Sequence, residues 1–127
     1  MRISRLVLAL LLFAGALPGC ITSTTRTLAK PTQSYGVLGR MIAVSGQREP
    51  LIAILVKGTV RMPGNRSYVI ARDLKDANAI WITEVWDSRE AHLASLNLPQ
   101  VQQAIKAARP LIAGFDSRAE TQPVRAD

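Results

Sequence analysis

The stretch that decides the fold is AIWITEVWDSREAHLASLNLPQVQQAI, residues 79–105. Its first eight residues, AIWITEVW, are mostly apolar and predict a β-strand. In a strand, successive side chains point to opposite faces. Asp87, followed by Glu90 three residues later, is typical of a helix N-cap and its capping box. This signature predicts a helix over residues 88–96. Pro99 suits the first turn of a further helix, so the stretch predicts one strand followed by two helical pieces.

The sequence before this stretch predicts two strands with a helix between them. Residues 35–44 and 67–73 are rich in apolar and β-branched side chains, as strands are. Residues 48–61 repeat apolar side chains at helical spacing. The turn signal Met62-Pro63-Gly64-Asn65 separates this helix from the second strand.

The sequence after Pro99 predicts a longer helical piece and a last strand. Pro110 should bend or end the helix, and Gly114 is a suitable terminator. Residues 117–124 predict a weak strand. The order is therefore βαββαβ, which predicts an α+β, ferredoxin-like fold with an antiparallel sheet and helices on one face. The predicted apolar helix face consists of Val101, Ala104, Ile105, Ala108, Leu111 and Ile112.

Both faces of the predicted sheet are largely apolar. In the strand over residues 79–86, Ile80 and Ile82 point one way, whereas Trp81 and Val85 point the other. Helices can cover only one face, and the other would expose more bulky apolar surface than a soluble monomer usually does. We therefore expect a homodimer that packs sheet against sheet.

The N-terminus predicts export. Arg2 and Arg5 precede an unbroken run of apolar and small residues, 6–17. This run is too short for a membrane span of about 20 residues but suits a secretory signal. The end of the run, Leu17-Pro18-Gly19-Cys20, resembles the lipobox of bacterial lipoproteins, in which the Cys receives lipid. Residues 14–16 also fit an ordinary cleavage site, which leaves that alternative open.

The chain thus divides into a signal peptide at 1–19, a flexible tether at 20–34, a domain at 35–124 and a tail at 125–127. Lipid on Cys20 would anchor the domain to a membrane without spanning it. We expect an exported lipoprotein that faces the periplasm or the cell exterior, or otherwise a secreted or periplasmic protein.

The charge pattern argues against nucleic acid as a partner. The formal net charge is +7, but residues 35–123 carry 11 Lys/Arg against 8 Asp/Glu, a net of +3, without a concentrated basic stripe. A metal site is not expected either. His92 is the only histidine and Cys20 the only cysteine, so one chain lacks a set of nitrogen and sulfur ligands.

Several motifs coincide in the domain. Gly39-Arg40 lies on the first strand, the turn at 63–65 leads into Tyr68, and the third strand ends as Glu84-x-Trp86-x-Ser88, followed by Ala91-His92-x-x-Ser95. Over residues 36–123 the chain resembles the antibiotic biosynthesis monooxygenase (ABM) family, whose members pair as dimeric α+β barrels. Residues 81–105 are most similar to members described as quinol monooxygenases.

The resemblance implies an activity. Members of the family oxygenate phenolic aromatics with molecular oxygen and without flavin, haem or metal, since the substrate supplies the electrons. It predicts a cofactor-independent monooxygenase that acts on a small phenolic or quinol-type aromatic. Two alternatives stay open. One is a membrane-tethered dimer that binds a small hydrophobic ligand without turnover; the other is a haem-degrading monooxygenase, although Gly39 and Ala104-Ile105 stand where that branch has an Asn and an axial His.

The resemblance also suggests site residues. His92 is the candidate catalytic base, or else a boundary residue that only forms hydrogen bonds. Proton transfer from a phenol to imidazole is uphill by about 3.5 pKa units, and Arg40 is the cation expected to ease it. Glu84 should be paired if it is buried, with Arg40 or Arg72. The other candidates for substrate binding are Tyr68, Trp86, which is alternatively a core or interface aromatic, and Asn97. Many relatives carry a second His or another polar residue at the position of Asn97, and this departure argues against a mechanism with two histidines.

Overall fold

The computed structural model describes residues 33–124. Four strands and three helices follow one another as β1 (Tyr35–Ala43), α1 (Arg48–Gly58), β2 (Asn65–Arg72), β3 (Ala79–Trp86), α2 (Arg89–Ser95), α3 (Pro99–Ala108) and β4 (Ile112–Thr121), with a 3₁₀ turn at Arg109–Leu111. This order confirms the predicted ferredoxin-like α+β fold. Within residues 33–124, no helix is both long and apolar enough to cross a membrane. The predicted signal peptide, Cys20, most of the tether and the tail at 125–127 lie outside the described residues.

The sheet is antiparallel, with the strand order β2-β3-β1-β4. Its pairing aligns side chains in rows that cross the strands. One row contains Tyr68, Glu84 and Val37, and the next row on the same face contains Ile82 and Gly39. On β4, Arg118 pairs with Gly39 and so extends this second row to the edge of the sheet.

The helices cover the face that carries these rows. Met41 and Ile80 pack there with Leu51 of α1, and a second cluster joins Tyr35 and Trp86 to Val101 of α3. The helices α1 and α3 approach each other where Gly58 meets Ala104, because a Cβ on Gly58 would overlap the Cβ of Ala104. Burial of these side chains is the main source of stability of the domain.

Within residues 33–124, no helix covers the opposite face of the sheet. One row across it consists of Val69, Thr83, Leu38 and Ala119, in the strand order of the sheet, and all four side chains are exposed. The predicted alternation of strand faces is confirmed, since Val37 and Met41 are buried while Leu38, between them, is exposed. We refer to this surface as the open face.

Two predicted helix boundaries are wrong. The first helix ends at Gly58 and not at residue 61. Its end is fixed by Thr59, whose hydroxyl donates to the carbonyl of Leu55 at 2.8 Å, and Arg61 then adopts a left-handed φ of 51°. The short helix α2 has Ser88 as its N-cap, since the Ser88 hydroxyl accepts from the Ala91 N–H at 3.1 Å.

Asp87, the predicted N-cap, instead lies one residue before the cap and pairs with Arg66. The last strand also begins earlier than predicted, at Ile112. Pro110, which has no N–H to donate, stands inside the 3₁₀ turn that closes the helical region. Gly114, expected to terminate a helix, therefore lies within β4.

Candidate active site

A cavity of about 490 Å³ lies between the helix-covered face of the sheet and the helices. All four strands contribute to its wall, together with α1, α2 and α3. Most of the lining side chains are apolar, and the polar exceptions include Tyr68, Glu84 and His92. A few polar groups in an apolar pocket of this size are typical of a small-molecule site.

Gly39 provides part of this space. It lies on β1 in the middle of the cavity wall, and a Cβ at this position would meet only the backbone oxygen of Ser117, at 3.8 Å. Any larger side chain here would project toward the helices and occupy the cavity. The missing side chain of Gly39 therefore helps to keep the cavity open.

Glu84 is the acidic side chain among the described residues that line the cavity. The alternation of β3 turns it toward the helices, and its side chain is 12% exposed. The Trp86 indole N–H donates to Glu84 Oε2 at 2.8 Å. Burial raises the pKa of Glu84, whereas this hydrogen bond and the positive charge of Arg118 partly oppose the rise.

His92 of α2 lies next to Glu84 in the cavity wall. Its Nε2 lies 3.8 Å from Glu84 Oε2, which is longer than a hydrogen bond. Its Nδ1 is buried and has no hydrogen-bond partner in the described part of the chain. The ring packs between Tyr35 and Trp86, with both centroid distances at 5.4 Å. Packing therefore fixes the orientation of the imidazole.

The environment keeps His92 neutral. Burial lowers the pKa of His92, and the positive charges of Arg118 and Arg89 act in the same direction, while Glu120 opposes them. Although Glu84 is near, burial prevails over a charged His92–Glu84 pair. At neutral pH the imidazole is thus free to accept a proton, which an imidazolium cannot do.

Tyr68 lies beside Glu84 on the neighbouring strand, where the two residues are paired in register. Burial and the adjacent Glu84 carboxylate raise the pKa of Tyr68. The phenol therefore stays protonated across the physiological range and can donate a hydrogen bond. Tyr68, Glu84 and His92 are thus the three predicted site residues that the fold brings together around one cavity.

Arg118 is a site residue that the sequence did not single out. It lines the cavity from β4, and its charge lowers the pKa values of both Glu84 and His92. Arg118 lies within the weak strand predicted over residues 117–124. Its direction, however, depends on the β1–β4 register, which pairs it with Gly39.

Arg40, predicted to be the cation of the site, lies on the opposite side of the sheet. Its guanidinium contacts Asp73 and Asp76, each at 3.1 Å, and Asp116, and it lies 5.8 Å from the centroid of the Trp81 ring. Arg40 follows Gly39 directly, so the alternation of β1 turns it away from the cavity.

The expected partners of Glu84 are therefore wrong. Arg40 is engaged by the three aspartates of the open face, and Arg72 pairs with Glu49 at 2.6 Å. The hydrogen bond from Trp86 and the field of Arg118 stabilise the Glu84 carboxylate in their place.

Two further candidates do not line the cavity. Trp86 is 1% exposed and belongs to the core, from which its indole N–H holds Glu84. Asn97 is exposed in the connection between α2 and α3, where its backbone N–H donates to the carbonyl of Ala94. Within residues 33–124, no group of three or more His, Cys, Asp and Glu side chains is arranged to hold a metal ion.

Comparisons with known proteins agree with this fold. A structure from Chloroflexus aurantiacus, named as a proposed antibiotic biosynthesis monooxygenase, is 60% identical, covers 74% of this chain and 96% of its own, and has a TM-score of 0.73. A protein from Caulobacter crescentus with a similar name is 17% identical, covers 75% of this chain and 93% of its own, and has a TM-score of 0.64. SnoaB from Streptomyces nogalater, named a cofactor-independent oxygenase, is 15% identical. It covers 75% of this chain and 97% of its own, and its TM-score is also 0.64.

The two distant structures show the fold alone. No functionally curated protein is significantly similar to this chain. The sequence model of the family described as Antibiotic biosynthesis monooxygenase, however, matches residues 35–107, which is more than half of the chain. The chain therefore belongs to the antibiotic biosynthesis monooxygenase family.

Proposed function

We propose that this chain is a cofactor-independent monooxygenase that oxygenates a phenolic or quinol-type aromatic with molecular oxygen. The observation that carries the proposal is His92, a neutral imidazole held by packing in the wall of a largely apolar cavity, with its Nε2 3.8 Å from Glu84 Oε2. A base of this kind suits the removal of a proton from a bound phenol.

The proposed first step is deprotonation of the substrate. His92 accepts the proton of the phenolic hydroxyl, and the resulting phenolate lies near Arg118 and the Tyr68 hydroxyl. Since burial lowers the pKa of His92, the transfer is uphill by more than the gap of about 3.5 pKa units between free phenol and imidazole. The charge of Arg118 and a hydrogen bond from Tyr68 offset part of this cost by stabilising the phenolate.

The phenolate then reduces oxygen. For a hydroquinone, one atom of the oxygen molecule enters the ring and the other leaves as water. The product is a hydroxyquinone, which has one oxygen atom more and two hydrogen atoms fewer than the substrate. The ring supplies all the electrons, so the reaction needs no flavin, haem or metal. The name of SnoaB, a cofactor-independent oxygenase of the same fold, supports this part of the proposal.

The haem-degrading alternative finds less support. Gly39, Ala104 and Ile105 stand where that branch was expected to carry its functional Asn and axial His, and all three line the cavity. None of them has a side chain that can ligate iron or donate a hydrogen bond.

We further propose that two copies of the chain pair through the open face. The exposed row of Val69, Thr83, Leu38 and Ala119 is apolar except for the Thr83 hydroxyl. Burying such a row against its symmetry mate is favourable. Sedimentation or light scattering should give a dimer for the native chain and a monomer for Leu38→Glu, and an unchanged dimer in that variant would contradict the arrangement.

We also propose, on the sequence pattern alone, that the chain is exported and lipidated at Cys20. The protein extracted from membranes should then carry the mass of attached acyl chains at its N-terminus. The Cys20→Ser variant should lack them and leave the membrane fraction, whereas an unmodified native Cys20 would contradict lipidation.

The activity test uses the purified full chain without added cofactor. It is given a panel of hydroquinones and anthrones in air, and oxygen uptake is followed while isotopically labelled oxygen gas shows how many oxygen atoms enter the product. We expect catalysed uptake, one labelled atom per product, and a loss of at least about 10²-fold in His92→Ala. Leu93→Ala, which changes an exposed neighbour outside the cavity lining, is the matched control.

A lack of catalysed oxygen uptake would contradict the proposal. If no compound is consumed faster than without protein, the monooxygenase proposal fails for these substrates. Tight binding of one of them without turnover would then favour the binding module.

A further inference from the structure

Three polar side chains of the cavity lie together at one of its ends. At one end, Glu84 and Tyr68 share a row of the sheet with Val37, and His92 faces them from α2. At the other end, Met41 of β1 lies four residues beyond Val37, which corresponds to about 13 Å along a strand.

Four apolar side chains, from β1, β4, α1 and α3, form the other end of the cavity. Met41 is paired with Phe115 of β4, and Leu55 of α1 and Ile105 of α3 also line the cavity. None of these four side chains can ionise or donate a hydrogen bond. Between the two ends, Gly39 leaves the passage open because it has no side chain.

The cavity opens between β4 and α3. Phe115 is 65% exposed and Ile105 is 38% exposed, although both line the cavity, so they lie at its mouth. The mouth also includes Leu96, which is 38% exposed, and Arg118, whose side chain is 64% exposed. A ligand whose phenolic ring reaches His92 and Glu84 has room to extend its other end along β1, toward apolar side chains and the part of the opening between Phe115 and Ile105. A single aromatic ring at the polar end would leave this apolar half without contacts.

We propose that the substrate is an amphipathic hydroquinone, with its phenolic ring at Glu84 and His92 and an alkyl or isoprenoid chain that runs along β1 and leaves between Phe115 and Ile105. The identity of the ring rests on the proposed function, whereas the site for the chain rests on the geometry of the apolar end. Each methylene group buried there should improve affinity about fourfold until the chain reaches the mouth.

The test uses a series of hydroquinones with one ring and alkyl chains of increasing length. Binding is measured by calorimetry without oxygen, and kcat and KM are measured by oxygen uptake in air. We expect Kd and KM to fall with each added methylene group and then to level off, while kcat changes little because the chain lies away from the reacting ring.

Variants at the mouth locate the chain. Phe115→Ser and Ile105→Ser should weaken the long-chain compounds by roughly tenfold and should weaken the unsubstituted hydroquinone much less. Val56→Ser is the control, because Val56 is 53% exposed on α1 and does not line the cavity. This substitution should leave the whole series unchanged.

The outcomes separate the two proposals. Affinity that does not depend on chain length, or equal losses for short and long compounds in the mouth variants, would overturn the chain site even if the ring is oxygenated. Binding that depends on the length of the alkyl chain, without any oxygen uptake, would support the site for the alkyl chain and contradict the proposed monooxygenase activity.

Discussion

Replacing Trp86 by phenylalanine is expected to destabilise the protein by an amount that depends on pH. The substitution keeps an aromatic ring in the core but removes the indole N–H that donates to Glu84 Oε2 at 2.8 Å. A hydrogen bond to a charged group contributes about 1.5–3 kcal/mol. Without it, the buried carboxylate is less stable, and the pKa of Glu84 rises further above its ordinary value.

The protonation state of Glu84 decides at which pH the Trp86→Phe variant loses most stability. The hydrogen bond stabilises the carboxylate, so its loss is felt where Glu84 is ionised in the folded protein. As the pH falls through the raised pKa of Glu84, both proteins bind the proton and the difference shrinks. We therefore expect the free energy of unfolding of Trp86→Phe to be lower by about 1.5–3 kcal/mol at about pH 8 and by clearly less at about pH 4.

The assay is urea unfolding followed by circular dichroism at these two pH values. The cost of the smaller ring in the core does not depend on pH, so the change with pH isolates the hydrogen bond. The matched control is Trp81→Phe, because the Trp81 indole donates to Asp73 on the open face at 2.9 Å and should not affect Glu84. The unfolding measurements on Trp86→Phe and Trp81→Phe are repeated in proteins that also carry His92→Gln, so that titration of the imidazole does not contribute to the comparison.

A deficit of the same size at both pH values would refute this reasoning. It would mean that Glu84 is not the group that titrates against Trp86, or that the carboxylate is satisfied in another way. NMR titration of the Glu84 carboxyl carbon provides an independent check, since its pKa should be higher in Trp86→Phe than in the native protein.

Three further predictions concern the same site and its support. Because the pKa of His92 is lowered, folding should become less favourable as the pH falls below about 6.5; His92→Gln should lose this dependence in urea unfolding, and an unchanged slope would contradict a buried neutral His92. Gly39→Val should keep the fold, since its Cβ meets only an ordinary contact at 3.8 Å, but should weaken binding at least roughly tenfold by filling the cavity; full affinity by calorimetry would show that the ligand lies elsewhere. Ser88→Ala should cost about 0.5–2 kcal/mol as the loss of an N-cap, whereas Asp87→Ala, which removes an exposed ion pair, should cost less than about 1 kcal/mol; the reverse order in thermal unfolding would restore Asp87 as the cap.

The limits of the sequence are clearest at the N-terminus of α2. Asp87 and Ser88 are both good N-cap residues, so local propensity alone does not choose between them. The choice is made by Arg66 of the adjacent strand, which holds the Asp87 carboxylate and leaves the Ser88 hydroxyl to accept from Ala91. A contact between residues distant in sequence thus decides a local boundary.

The site shows the same division. Alternation along β3 places Glu84 on the face with Ile80, Ile82 and Trp86, and the sequence alone establishes this because a strand has a period of two. The sequence also contains a single histidine, so His92 is the obvious candidate base. The distance between His92 and Glu84, however, depends on how α2 packs against Tyr35 and Trp86.

Arg40 and Arg118 show most clearly what the sequence alone predicts and what requires the tertiary structure. Neither strand pattern nor composition distinguishes Arg40 from Arg118, and the family resemblance favoured Arg40. The pairing of β4 with β1 sets Arg118 opposite Gly39 on the cavity face, while Arg40 points to three aspartates on the open face. The sequence by itself therefore determined the order of the elements, the faces of the strands and the candidate base, because these follow from local periodicity and residue type. The tertiary structure alone decided which cation faces that base and which carboxylates are paired, because these depend on strand register and on contacts between distant segments.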